Sequence, residues 1–478
     1  MTRESAIARA VAGFDDGSFR ATLARRIAIP TESQKPERAP DLARYLDAEM
    51  VPAFHALGFV TRILHHPMAK GPFLLAERIE DPGLVTIFGY GHGDTVNGHA
   101  GRWRAGTAPF ALTELDGLWY GRGVVDNKGQ HAINLAALAA VLETRGRLGF
   151  NARWLIEMGE ECGSPGLREL CADNAAAFRA DVLIASDGPR LAAGRPTLFL
   201  GARGALAIDL ALDLRKGDHH SGNWGGLISN AGILLAHAIT RIVDANGRVR
   251  LPELVPKHGL PDPVRRALEG LEVDPGPDGP SIEPWWGEPG LTAAAKVFGW
   301  CNFEVLAFET GDAKAPTNAI PGKATARCQL RFTVDVDVDD VLPAIRRHLA
   351  REGLGMVAVT KGRHAMFGAT RLDPDAPGVR AVAASIARTT GKTPAILPNL
   401  GGALPNDIFA DVLGLDTIWI PHSYPGCSQH APDEHVPAAL VREALGLMAG
   451  VYWDIGEGLL GAARDRAPPG DIVGFPGR

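Results

Sequence analysis

Thiols are scarce in this sequence. Its 478 residues include five cysteines, Cys162, Cys171, Cys301, Cys328 and Cys427, an odd set with no CxxC pair. That argues against a disulfide framework and a thiolate zinc site, and points to a reducing, cytoplasmic setting. Positive charge is also short: 49 Lys and Arg stand against 55 Asp and Glu, a net charge of −6. No general field therefore exists to hold a nucleic-acid backbone or an anionic membrane. There is no run of about 20 apolar residues to span a bilayer, and the N-terminal stretch lacks the apolar core of a secretory signal. Also missing are GxGxxG after a strand, GxxxxGK followed by Ser or Thr, GxSxG and HExxH, so nucleotide, serine-hydrolase and single-zinc protease readings lose their support. What is present is ordinary for a folded enzyme: 46% apolar and 22% charged residues, over a length suited to two to four folding units.

The first 200 residues alternate short apolar runs with helical patterns, which predicts βαβ units and an α/β fold with a mostly parallel sheet. Four runs read as buried strands: LVTIFGY (84–90), ARWLIEM (152–158), DVLIAS (181–186) and, far downstream, DTIWI (416–420). Each is followed by candidate metal ligands, and in an open α/β sheet the crevice beyond the carboxyl ends of the strands is where ligands bind. Residues 202–366 differ. Alternating runs such as ALAIDLALDL (205–214) and ATARCQLRFTV (324–334) suit a sheet exposed on one face. They predict an inserted α+β domain, leaving 1–201 and 367–478 as the catalytic domain. Within the insert, the Pro- and Gly-rich stretch 251–289 is expected to form irregular loops, and 466–478 a loose tail.

The chemistry-bearing residues follow the strands. GHGDTV places His92 and Asp94 two apart, a spacing that lets the carboxylate orient an imidazole whose other nitrogen binds a metal. GRGVVDNKGQ holds Asp126 in a Gly-flanked loop before a helical run, where it can bridge two metal ions. EMGEECGSPG supplies adjacent Glu160 and Glu161, which on an extended chain project oppositely and so suit different tasks, one on a metal and one as general base. Asp187 ends another strand, and PHSYPGCSQHAPDEHV offers His422, His430 and His435, among which spacing does not choose. Nitrogen and oxygen donors without thiolate are the set expected of a hydrolytic zinc centre, with manganese or cobalt as other occupants.

The ordered set GHGDTV, GRGVVDNKGQ, GEECGSPG, ASDGP, GARG, GDHHSGNWGG, TNAIPG and QHAPDEHV resembles the M20 family of metallopeptidases, over nearly the whole chain. That family includes carboxypeptidases, dipeptidases and N-acyl amino-acid deacylases. The resemblance implies two zinc ions, one held by His92, Asp126 and Asp187, the other by Asp126, Glu161 and His430, with Asp126 bridging. It makes Glu160 the general acid/base and Asp94 the partner of His92, and leaves His422 and His435 as bystanders. It also implies a cis peptide from Asp126 to Asn127. In the insert it places His220 of GDHHSG as an oxyanion stabiliser, commonly reaching across a dimer, with His219 as competitor. Asn318 and Arg331 fall at substrate-holding positions, and an Arg fork suits a free carboxylate. The sequence departs from the family pattern in GEE for D-E-E and in Asp433 where Asn is commoner, and its long insert looks like that of carnosine-type dipeptidases. The expected protein is a cytoplasmic homodimer, joined through the insert, that hydrolyses the amide bond of a small carboxylate-bearing substrate, a dipeptide first. An N-acyl amino-acid amidohydrolase is the alternative, and a non-catalytic metal-binding relative a remote one.

Overall fold

A computed structural model describes residues 1–276, 279–363 and 366–461; the expected loose tail, 466–478, lies outside them. An eight-stranded mixed sheet carries the four anticipated strands side by side at its centre. Asn151–Glu157, Thr86–His92, Val182–Ala185 and Asp416–Trp419 are all parallel neighbours, in that order. His92 is level with Glu157 in the register, so the residues after each strand emerge on one edge. Antiparallel strands Val60–Leu64 and Phe73–Arg78 extend one side, and Thr197–Phe199 with Ala395–Leu397 the other. Apolar clusters lie on both faces. One includes Trp154 and the helices Arg3–Asp15, Lys128–Arg145 and Ala438–Gly456; the other includes Phe88, Tyr90 and Trp419.

Glycine lets the helix after Asp126 lie directly on the sheet. Gly89 and Gly91 share one face of their strand, since side chains alternate. A Cβ on Gly89 would overlap the Trp154 ring, one on Gly91 would sit 2.7 Å from the His131 Cβ, and one on Gly93 2.5 Å from Tyr45. The N-terminus of helix Lys128–Arg145 thereby reaches the end of the strand that carries His92.

A second sheet is antiparallel throughout, in the order Asn302–Thr310, Lys323–Phe332, Gly204–Asp213 and Ala358–Lys361. Burial alternates residue by residue along Lys323–Phe332, and helices Ala231–Ile242 and Val338–Arg351 join the buried side. The stretch 251–289 is more regular than its composition suggests. It contains a 3₁₀ turn, Pro252–Leu254, and the helix Asp262–Leu268, started by Pro263 in its first turn and burying Val264 and Leu268 four residues apart. That helix and Ala293–Phe298 pack into the core of the first sheet, and Asp262–Leu268 covers the edge formed by Ala395–Leu397. All five cysteines are unpaired, and among the described residues no helix is long and apolar enough to cross a membrane.

Candidate metal centre

Three of the central strands deliver their donors at once. His92 is the last residue of its strand, Asp187 follows another by two residues, and Glu160 and Glu161 follow a third within four. Asp126 comes from the loop before helix Lys128–Arg145, through an Asp126–Asn127 peptide that is cis, as the resemblance implied. The fourth strand contributes less directly. His422 follows it closely but is buried away from the cluster, held neutral by burial, whereas His430 comes from the longer loop beyond, with φ of +62°. Non-glycine residues adopt that conformation rarely, and often at functional sites.

His92 Nε2 lies 3.0 Å from Asp126 Oδ1 and 3.7 Å from Asp187 Oδ2. His430 Nε2 lies 2.8 Å from the other Asp126 oxygen and 3.1 Å from Glu161 Oε2. Donor atoms of His92, Asp126 and Asp187 fall within 4.8 Å of one another, as do those of Asp126, Glu161 and His430. Asp126 thus belongs to both groups. Asp94 faces the other side of His92, its carboxylate 3.4 Å from Nδ1 and its carbonyl 3.1 Å away. The same carboxylate accepts the backbone N–H groups of Glu160 and Glu161, each at 3.2 Å. Those two glutamates are therefore not on an extended chain: they open a 3₁₀ turn, Glu160–Cys162, folded onto Asp94. Their partners differ: Glu161 meets His430, while Glu160 has no ion pair among the described residues, and both line the same cavity.

The donors fit a cation better than they fit each other. Glu161 Oε1 and Asp187 Oδ2 are buried without a hydrogen-bond partner, an arrangement that costs about 1–3 kcal/mol for a polar group and more for a charged one. Burial and the neighbouring carboxylates push Glu160 well above the usual range, Glu161 up to about 7 and Asp187 up to about 6. Asp126, against the pull of burial, is held low by hydrogen bonds from His430 and His92. The same bond, with that to Glu161, lifts His430 to about 11. In the protein alone, protons thus supply the positive charge; nitrogen and oxygen donors of this kind suit zinc or a neighbouring divalent ion.

The remaining anticipated residues divide. Arg331 lines the same cavity, of about 1010 Å³, as Asp126, Glu160, Glu161, Asp187 and His430. It donates to Gln329 at 3.1 Å, while its buried Nη1 has no partner and it forms no ion pair among the described residues. His220 and Asn318 are exposed, on adjoining segments of the insert, and do not line that cavity in their own chain. His219 is half-buried, 6.1 Å from the Trp224 ring. His435 is engaged by the Tyr424 hydroxyl and the Asp433 carbonyl.

Sequence reasoning missed Glu434 and Arg122. Both are buried and pair at 2.6 Å, and Glu434 also accepts the N–H groups of Gly123, Val125 and Asp126. The pair ties the loop bearing Asp126 to the segment bearing His430. Gln429, which donates to Asp126 Oδ2 at 2.8 Å, was also missed. The only signal was an acid beside one other in PDEHV, a pattern that reads as solvated surface.

Residues 89–453 match the model of peptidase family M20/M25/M40. The Beta-Ala-His dipeptidase of Homo sapiens is 27% identical over 58% of this chain and 56% of its own length, so the match spans little more than half of that relative. The cysteinylglycine-S-conjugate dipeptidase of Corynebacterium striatum is 29% identical over 67% of this chain and 70% of its own. Among solved structures, the M20 family metallo-carboxypeptidase Sso-CP2 from Sulfolobus solfataricus shares the fold with a TM-score of 0.76 and 23% identity, covering 92% of this chain and 99% of that one.

Proposed function

The chain belongs to peptidase family M20/M25/M40, and from that premise we propose that it is a metal-dependent dipeptidase acting on small substrates with a free carboxylate. One observation carries the reading: a single cavity is lined by the carboxylates, by His430 and by Arg331, whose buried Nη1 has no partner among the described residues. A dipeptide carries both features such a cavity recognises, an amide carbonyl and a terminal carboxylate. The names of the two dipeptidase relatives support the same substrate class.

In this reading His92, Asp126 and Asp187 hold one zinc ion and Asp126, Glu161 and His430 another, with manganese or cobalt as substitutes. When bound, such ions polarise a carbonyl and bring the ionisation of water down toward pH 7. Glu160, free of ion pairs and facing the cavity, takes the proton of the attacking water and delivers it to the leaving amine. Asp94 holds the Glu160–Glu161 turn and the His92 ring in place. Arg331 anchors the substrate carboxylate. His220, with Asn318, acts across a homodimer formed through the insert; their exposure and their absence from their own chain's cavity support this, as do exposed Val305, Leu306 and Phe308 on strand Asn302–Thr310. Five unpaired cysteines support a cytoplasmic location.

N-acyl amino acids stay in view as a second class, because Arg331 addresses only the carboxylate side that both classes share. Metal-loaded protein assayed on a dipeptide panel and an N-acyl amino-acid panel decides between them. Activity lost to a chelator and restored by zinc is expected, with dipeptides favoured. A metal-replete protein inert on both panels would instead be a binding relative, and the enzyme reading would fall.

A further inference from the structure

We infer that the substrate residue bearing the free carboxylate has a bulky apolar side chain, selected by Val297, Phe298, Phe367 and Leu400; this rests on the amide-hydrolase reading above. Arg331 sits in register between Asn302 and Ala205, and the Ala205 N–H donates to the Phe367 carbonyl. Two residues earlier, Arg203 donates to the Gly401 carbonyl at 2.7 and 3.1 Å, to the Trp300 carbonyl at 3.3 Å and to Asn302 Oδ1 at 2.8 Å. These bonds draw the loop after Asn399 and the end of helix Ala293–Phe298 together beside Arg331. The approach is close: a Cβ on Gly401 would sit 2.8 Å from Val297 Cγ1. Leu400 continues the wall toward the donors, its Cδ1 3.2 Å from where Gly188 would carry a Cβ.

A carboxylate held by Arg331 therefore presents the side chain on its own Cα to an apolar surface. Among the described residues lining the cavity, the carboxylates are Asp126, Glu161 and Asp187 of the donor groups and Glu160 next to Glu161 in sequence, none of them among the four apolar wall residues, and Arg190 is already paired with Glu443. A lysine or aspartate side chain would meet no partner there, and burying an unpaired charge is strongly unfavourable. A glycine would leave the wall bare, and a methylene missing from the substrate in such a pocket is worth about 10- to 200-fold. Because Arg203 fixes the wall in advance, the preference does not depend on closure over the substrate.

The test separates binding from turnover. Zinc-loaded Glu160→Gln protein is titrated calorimetrically with Gly-Leu, Gly-Phe, Gly-Gly and Gly-Lys, and the wild-type protein is assayed on the same four. Binding of Gly-Leu and Gly-Phe at least about tenfold tighter than Gly-Gly and Gly-Lys is expected. Val297→Asp, at a half-buried position, should erase that margin and raise KM for Gly-Leu with little change in kcat. Equal binding of all four, or an unchanged margin in Val297→Asp protein with an unaltered Tm, overturns the inference even if wild type hydrolyses them. Apolar-selective binding without hydrolysis upholds it and sinks the reaction reading instead.

Discussion

Half-buried Glu160 and fully buried Glu434 are both acids near the donors, yet they should answer to substitution differently. Glu160 belongs to neither candidate donor group, so Glu160→Gln should leave metal content by elemental analysis intact while cutting kcat about 10²- to 10⁴-fold, the range of general acid–base catalysis. An undiminished rate would remove it from proton transfer. Glu434→Gln strands the Arg122 guanidinium in the interior and should cost about 3–5 kcal/mol in denaturant unfolding. Protonation gives a further expectation for chelated protein. Glu161 (about 7), Asp187 (about 6) and Glu157 (about 7) are all raised, chiefly by burial. Between about pH 4.5 and 7 the native state then binds more protons than the unfolded chain, so stability falls as pH rises through that window. His430, raised by its bonds to Asp126 and Glu161, acts in the same direction at higher pH. Asp126 is lowered, so its contribution disappears only at more acidic pH. Calorimetric Tm from pH 5 to 8 should decline for the chelated protein and flatten on zinc loading, leaving the slope due to the raised acids outside the donor groups, Glu157, Glu160 and Glu434. At this scale the donors were legible because each follows an apolar run in a short Gly-rich motif. Glu434 was not, since its partners lie 308 to 312 residues away and only the folded chain reveals them.

Among the elements, strand Thr86–His92 sets how closely a helix can approach the centre. Gly91→Ala would drive a methyl against His131, which hydrogen-bonds to Tyr45 and Asn127, and overpacking of this kind costs about 1–3 kcal/mol. Because Asn127 adjoins Asp126, zinc affinity should fall with stability. Gly378→Ala, in a helix where the nearest atom is 3.7 Å away, is the control and should be neutral or slightly stabilising. Equal effects on metal affinity from both would exclude the steric route. Strands were readable wherever β-branched runs were short and fully buried. The 3₁₀ turn at Glu160 was not, because what bends it is the Asp94 carboxylate, 66 residues back. Helix Asp262–Leu268 was hidden in a Pro-rich stretch because proline, read as a breaker, here starts the helix.

At the level of the whole molecule, the exposed strand Asn302–Thr310 carries Leu306 at 62% and Phe308 at 43% exposure, on the same sheet as Arg331. Replacing Leu306 with Asp should shift the protein from dimer to monomer in light scattering and lower activity at least tenfold, without loss of zinc, if His220 serves the neighbouring site. A fully active monomer would rule out that exchange. Alternation along the second sheet was plain in the sequence, but where His220 works cannot be written in one chain's pattern.

His430 meets Asp126 across 304 residues. On a ribosome adding about 5 to 20 residues per second, roughly 15 to 60 s pass between the two. For that interval the early acids wait without their last imidazole, and the second donor group stays open. Both donor groups can accordingly be complete only once His430 has been made, so if the site is loaded as proposed, ion supply late in synthesis or after it would matter more than supply earlier.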